Sequence, residues 1–257
     1  MHAMCLIAFA WQAHAEFDLI VAANRDEFHA RPTEPAHWWQ PPADVFGGRD
    51  LQAGGAWCAA DRQGRFAAVT NVREPTREGP ARSRGLLVRD YFAARRDAGE
   101  WAARVHETGA EYGPFNLLVG DREQLWFVSN RGPVRKLSLR PGVHAISNGS
   151  WGDHWPKTEA AQARLRTRIE AGDLQVESLF TLLADTDTAP RDALPDTGID
   201  TEREHFLSPL FIRSGHYGTR ASTVIKRGYD GAVAFHERGF DADAQPTHTI
   251  DEHWRSF

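Results

Sequence analysis

The stretch Cys5-Leu-Ile-Ala-Phe-Ala-Trp11, a polar turn, and Phe17-Asp-Leu-Ile-Val-Ala-Ala23 decides how the rest of the chain is read. Both runs are short, apolar and rich in branched and aromatic side chains, which suit a pleated, buried surface better than a helix. They predict an antiparallel hairpin that opens at Cys5. Asn24-Arg25-Asp26-Glu27 follows the second run directly, so the hairpin returns four polar residues to the neighbourhood of Cys5.

Working outward, Pro32, Pro35, Pro41, Pro42, Gly47, Gly48, Gly54 and Gly55 predict a long irregular loop over 24–55. Strands are expected over 57–60 and 66–72, then a helix carrying Leu86, Leu87, Tyr91 and Phe92 behind a Ser83 N-cap, and a second helix over 100–106. Four strands, 115–119, 124–129, 134–139 and 143–148, read as a meander. A helix reaching Ile169 stops before Gly172, a short helix covers 176–183, and 185–201 reads as an exposed loop. Strands near 207–213, 222–226 and 232–237 close the chain. Clusters of strands separated by helix pairs predict an α+β fold: two stacked, largely antiparallel sheets flanked by helices, αββα, in one domain over 1–257. A Rossmann reading fails, because neither GxGxxG nor a P-loop is present.

Composition agrees with a globular chain. At 41% hydrophobic and 25% charged residues, collagen-like, coiled-coil and disordered classes are excluded. The apolar run over 19–23 stops at Asn24, and no stretch approaches the roughly 20 residues of a membrane helix. No Lys or Arg precedes the first apolar stretch, so a secretory signal is not expected and the cytoplasm is the default location. A net charge of −5 argues against nucleic acid and anionic membrane as partners and leaves a small molecule. Two cysteines make no disulfide framework, and Cys58 is expected in the core. The twelve histidines contain neither HExxH nor a pair three or four apart, so no metal site is expected. No cofactor is required. Without CxxCH, covalent haem is out, whereas haem as a noncovalent ligand needs only one axial His or Cys.

Cys5 is the first candidate for chemistry because Met4 precedes it. Translation from Met4, or removal of residues 1–4, would leave Cys5 as a free N-terminus whose thiol attacks and whose α-amine, with a reference pKa of about 7.7–8.0, accepts the proton. The plain alternative is a buried, inert strand cysteine. Arg25 would favour a thiolate and Asp26 would orient the amine, unless the pair is only a local ion pair. Asn71 and Asn148 end apolar strands, where an amide donates to an oxyanion or caps a turn. Arg220 opens a later strand and offers the same choice. Asn24 and Glu27 are candidate substrate contacts. So are Trp38 and Trp39, although large aromatics more often pin a loop to the core. Arg73, Arg77, Arg82 and Arg84 place positive charge near Asn71, fit to receive a phosphate or CoA-like anion. Basic charge is almost all arginine, the only lysines being Lys136, Lys157 and Lys226, and that bias carries no functional weight.

Met4-Cys5, Asn24-Arg-Asp-Glu-Phe28 followed by Arg31-Pro32, Gly55-Ala-Trp57, Thr70-Asn71, Phe115-Asn-Leu-Leu118, Ser147-Asn148 and Tyr217-Gly-Thr-Arg220, in that order, resemble the NRDE family, also called transport and Golgi organisation 2. That resemblance implies an Ntn-hydrolase-like fold and, by analogy with penicillin V acylases and bile-salt hydrolases, a hydrolase or acyltransferase for a small amide or thioester. Cys5 would be nucleophile and amine base, Arg25 and Asp26 would organise thiol and amine, Asn71 and Asn148 would face the oxyanion, and Arg220 would complete the charged site. The family's association with haem and acyl-CoA metabolism implies the rival, a non-catalytic carrier or trafficking protein. One departure stands out: those hydrolases space Arg and Asp three apart, whereas here they are adjacent and should face opposite sides of a strand.

Overall fold

The structure is a computed structural model that describes residues 4–40, 44–74 and 82–256. In chain order the elements are β1 (Met4–Trp11), β2 (Phe17–Phe28), β3 (Thr33–Trp38), β4 (Val45–Asp50), β5 (Cys58–Asp61), β6 (Phe66–Asn71), α1 (Gly85–Ala94), α2 (Ala98–Thr108), β7 (Phe115–Gly120), β8 (Leu125–Ser129), β9 (Lys136–Ser138), β10 (Gly142–Ile146), α3 (Pro156–Glu170), α4 (Val176–Leu183), α5 (Thr201–Phe206), β11 (Tyr217–Gly228), β12 (Ala232–Phe240) and β13 (Pro246–Arg255). One sheet has the order β10-β1-β2-β11-β12-β13 and the other runs β3 to β9 in sequence.

Alternation of side chains along β1 and β2 sorts them into two cores. Ile7, Phe9, Leu19 and Val21 face the second sheet and meet Phe46, Phe66 and Phe127 there. Leu6, Ala8, Ile20 and Ala22 face away and are covered by Leu165 of α3 and by Leu179 and Leu183 of α4. The outer face of the second sheet is covered by Leu87, Tyr91 and Trp101 of α1 and α2. The layers are therefore helix, sheet, sheet, helix, as the order of elements predicts. Arg227 of β11 links the sheets: it pairs with Asp18 at 2.9 Å and also donates to the carbonyls of Gly64 and Asp121.

Four local expectations change. The predicted loop over 24–55 holds the end of β2, β3 and β4, because β2 stays paired on both sides, to β1 and β11, through its polar end. Pro35 is tolerated because β3 is an edge strand, and Gly47 is needed for close approach, since a Cβ there would lie 2.6 Å from the Cys58 carbonyl oxygen. The meander ends at β9; β10 crosses to the other sheet and pairs with β1, Ile146 opposite Ile7. Ser83 does not cap α1, whose N-cap is Arg84 with no side-chain capping bond. Residues 207–213 form no strand, and the third closing strand is β13, an edge strand whose exposed, polar alternation hides its pattern. Gly172 does follow α3 in the left-handed conformation, φ +67. Among the described residues no helix is long and apolar enough to cross a membrane.

Candidate active site

In the β1–β2 ladder Cys5 lies opposite Arg25 and Met4 opposite Asp26. Directly opposed residues share a face, so Cys5, Arg25 and Glu27 point between the sheets while Asn24 and Asp26 point to the helices. The β2 strand keeps its register here; the bulge falls on β11, between Thr219 and Ala221, at Arg220.

Cys5, Arg25, Glu27 and Asn71 line a cavity of about 180 Å³, with Arg31, Asp50 and Arg84 also on its wall. Cys5 is only 4% exposed. Burial pushes its thiol up to about 12, with Asp26 adding to the rise and Arg25 opposing it. While Cys5 remains inside the strand, the thiol is therefore neutral. The Arg25 Nη1 donates to Thr33 Oγ1 at 3.2 Å, and its Nη2 lies 3.9 Å from Glu27. Arg31 approaches Asp50 at 2.6 Å and Glu27 at 3.5 Å, so both acids of the cavity already face cations.

A second polar group lies on the helix side. Asp26 is fully buried, accepts a 2.6 Å bond from Thr219 Oγ1, and keeps Oδ2 without a hydrogen-bond partner. Burial raises its carboxyl to about 6, against the opposing charge of Lys157. Lys157, at the start of α3, is buried; its Nζ donates to the Leu207 carbonyl at 3.1 Å, and burial lowers it to about 8, with Asp26 opposing. Arg73 pairs with Glu204 close by, its guanidinium 4.8 Å from the Trp155 ring centre. Sequence reasoning passed over Lys157. The signal was its spacing, because Lys157, Ala161 and Leu165 fall four apart along the buried stripe of α3.

The structure gathers some candidates and disperses others. Asn71 lines the cavity. Asn148 is buried behind it, and its Nδ2 donates to the Asn71 carbonyl at 2.8 Å, which fixes the end of β6. Arg220 donates from Nη1 to the carbonyls of Phe28, His29 and Arg31, so it shapes the chain after β2 and does not line the cavity. Asn24 donates to the Leu183 and Leu210 carbonyls on the helix side. Trp38 donates to Glu252 of β13, and Trp39, fully buried, donates to the Gly47 carbonyl of β4; neither lines the Cys5 cavity. Of the basic stretch, Arg84 reaches the cavity, Arg82 pairs with Asp90 and Glu111 at the surface, and Arg77 lies outside the described residues. Cys58 is core, its thiol raised by burial.

Residues 4–242 match the model of the Transport and Golgi organisation 2 family, which takes in the Cys5 strand, the cavity and the Asp26 cluster. The chain belongs to that family. Among its relatives are Transport and Golgi organization 2 homologues of Bos taurus, 30% identical over 91% of this chain and 92% of that protein, and of Mus musculus, 29% identical with the same coverage. An uncharacterized Saccharomyces cerevisiae protein is 26% identical over 91% of each chain. Among solved structures, a mutant of the conjugated bile acid hydrolase from Clostridium perfringens superposes with a TM-score of 0.54 at 9% identity, over 99% of this chain and 96% of that one. At that identity the likeness shows the fold alone, an Ntn-hydrolase-like one.

Proposed function

We propose that the protein is an N-terminal-cysteine hydrolase or acyltransferase for a small amide or thioester, active once Cys5 is the first residue. The observation that carries this reading is the register of β1 and β2. Cys5 sits opposite Arg25 on the cavity side, while the Met4–Cys5 peptide lies beside Asp26, whose Oδ2 has no partner. Release of the Cys5 amine would give that buried oxygen an amine N–H to accept from, which supplies the missing partner and leaves the amine's lone pair for the thiol proton.

The step then balances within the chain. The amine takes the thiol proton and the sulfur attacks the substrate carbonyl, so a carbon–sulfur bond forms as the carbon–nitrogen bond, or the carbon–sulfur bond of a thioester, breaks. The proton passes from the ammonium to the leaving amine or thiol. Water or an acceptor amine then gives a proton to the Cys5 amine and attacks the acyl carbon; the carbon–sulfur bond breaks and the sulfur takes that proton, which restores Cys5. Arg25 favours the thiolate, Asn71 faces the developing oxyanion, and Asn148 holds Asn71 in place.

The buried, neutral thiol favours the rival reading, a haem or acyl-CoA-like carrier without turnover, only while residues 1–4 remain. A cavity of about 180 Å³ takes just one end of such a ligand, since drug-sized ligands occupy roughly 300–1,000 Å³. The test is acyl transfer from an activated thioester, followed by intact mass. An acyl adduct on Cys5 that disappears in Cys5→Ala is the expected result; a folded protein with Cys5 at its N-terminus and no adduct overturns the hydrolase reading.

A further inference from the structure

The cavity beside Cys5 carries more positive charge than its own acids neutralise. Arg25, Arg31, Arg49 and Arg84 line it against Glu27 and Asp50 alone. Arg31 engages both acids. Among the described residues, Arg49 and Arg84 have no carboxylate within 4.0 Å, the distance that defines the ion pairs found elsewhere in the chain. The Arg49 guanidinium lies 5.2 Å from the Trp39 ring centre and makes one long bond, 3.5 Å, to the Gly54 carbonyl. Arg84 is partly buried and donates from Nε to the Pro114 carbonyl at 2.9 Å, which leaves its two terminal nitrogens for something else.

The surroundings of Arg84 are shaped to hold it there. The guanidinium packs directly over Gly113, where a Cβ would come within 2.9 Å of its Nη2. Gly55 and Gly85 pass so closely that a Cβ on Gly55 would lie 2.4 Å from the Gly85 carbonyl carbon, and Ala56 N donates to the Gly85 carbonyl at 3.1 Å. That contact fixes the wall from which Arg84 projects. Burial lowers the pKa of Arg84, and Glu74 and Glu27, neither in ion-pair contact with it, oppose that only in part while Arg131 and Arg31 add to it; a planar fork of N–H donors in such a place suits an oxyanion.

We propose that Arg49 and Arg84 bind an oxyanion, a carboxylate or phosphate carried by the substrate, so that the substrate class is an anionic amide or thioester. This rests on the hydrolase reading for its use, and on the cavity alone for its binding. Two experiments separate the two claims. In the first, protein with Cys5 at its N-terminus is alkylated with iodoacetate and iodoacetamide, which are alike in size and differ in charge. The ratio of rates, relative to glutathione, should favour iodoacetate about tenfold, should fall towards one in Arg84→Met and Arg49→Met, and should recover in Arg84→Lys.

In the second, calorimetry reads binding of inorganic phosphate and of malonate to the full chain, with malonamide as the neutral control; thermal melting confirms that each variant is folded. Binding of malonate alone, or of phosphate alone, identifies the oxyanion. Binding that Arg84→Met abolishes, with Cys5 inert to both alkylators, upholds the anion site and removes the hydrolase reading. Reactive Cys5 with no charge preference and no anion binding overturns the anion site and leaves the hydrolase reading standing.

Discussion

Cys5 and Arg25 are cross-strand partners in one antiparallel ladder, so the sulfur and the guanidinium leave their strands on the same face, while Asp26, one residue on, is turned to the other. Adjacent Arg and Asp thus serve opposite sides of the sheet. The guanidinium faces the thiol and the cavity; the carboxylate lies beside the backbone that precedes Cys5. No bend in β2 is needed, because β11 absorbs the irregularity at Arg220.

From this pairing, Arg25→Met should raise the thiol of Cys5 and slow its alkylation by iodoacetamide at neutral pH by about tenfold, the equivalent of roughly 1.4 kcal/mol. Arg25→Lys should fall between. Rates measured from pH 6 to 10 on protein with Cys5 first should show the profile moving to higher pH. An unmoved profile separates Arg25 from the thiol.

Asp26 ties stability to pH. Its carboxyl is raised to about 6 by burial, above an unfolded value of about 3.9. Between those values the folded chain holds more protons than the unfolded one, so stability falls as pH rises through the window. In protein that keeps residues 1–4, urea unfolding should show Asp26→Asn gaining on the unsubstituted chain by on the order of 1–3 kcal/mol between about pH 4 and 7. Lys157, lowered to about 8, has the opposite slope: the unfolded chain keeps its proton to higher pH, so this residue makes stability rise above about pH 8.

Asn148 reaches the cavity through Asn71. Removing its amide in Asn148→Ala takes that donor from the partly buried Asn71 carbonyl, a loss of about 0.5–1.5 kcal/mol. If Asn148 only positions Asn71, the double variant with Asn71→Ala should turn over an acyl substrate no more slowly than Asn71→Ala alone. Losses that add would give Asn148 a separate contact with substrate.

Arg227 tests the layered fold without touching the cavity. It and Asp18 are both buried, and its other nitrogens reach the carbonyls of Gly64, in the turn between β5 and β6, and of Asp121, just after β7. Arg227→Met should lower stability in urea by about 3–5 kcal/mol, because Asp18 is left charged and unpaired. Cys5 alkylation at low temperature should not change.

Much of this was legible before any coordinates. The hairpin carried its own pattern, and the clustering of strands between helix pairs fixed the layers. What stayed hidden had physical reasons. Glycine and proline over 24–55 argued for a loop because their tolerance at an edge strand and at a close β4–β5 approach depends on tertiary neighbours. The strand β13 buries little beyond Trp254, so its sequence reads as polar and irregular. Residues 207–213 are apolar because they pack, as Leu210 does against the helix-side core, and not because they pair. At the site, β alternation predicted the split between Arg25 and Asp26. The sequence singles out Arg84 only as one of four arginines near Asn71, and among the described ones the structure brings it alone to the cavity wall. Lys157 and Arg49 were missed because a charge in an apolar stripe, or a guanidinium over an aromatic ring, has meaning only once its neighbours are known.

The central claim is that Cys5 works as a residue with its own free amine. Intact mass and N-terminal sequencing of folded, purified protein test it directly. The account predicts a dominant species that begins at Cys5 and takes an acyl group there. Folded protein that retains Met1, with Cys5 held behind Met4 in a peptide bond, would contradict it.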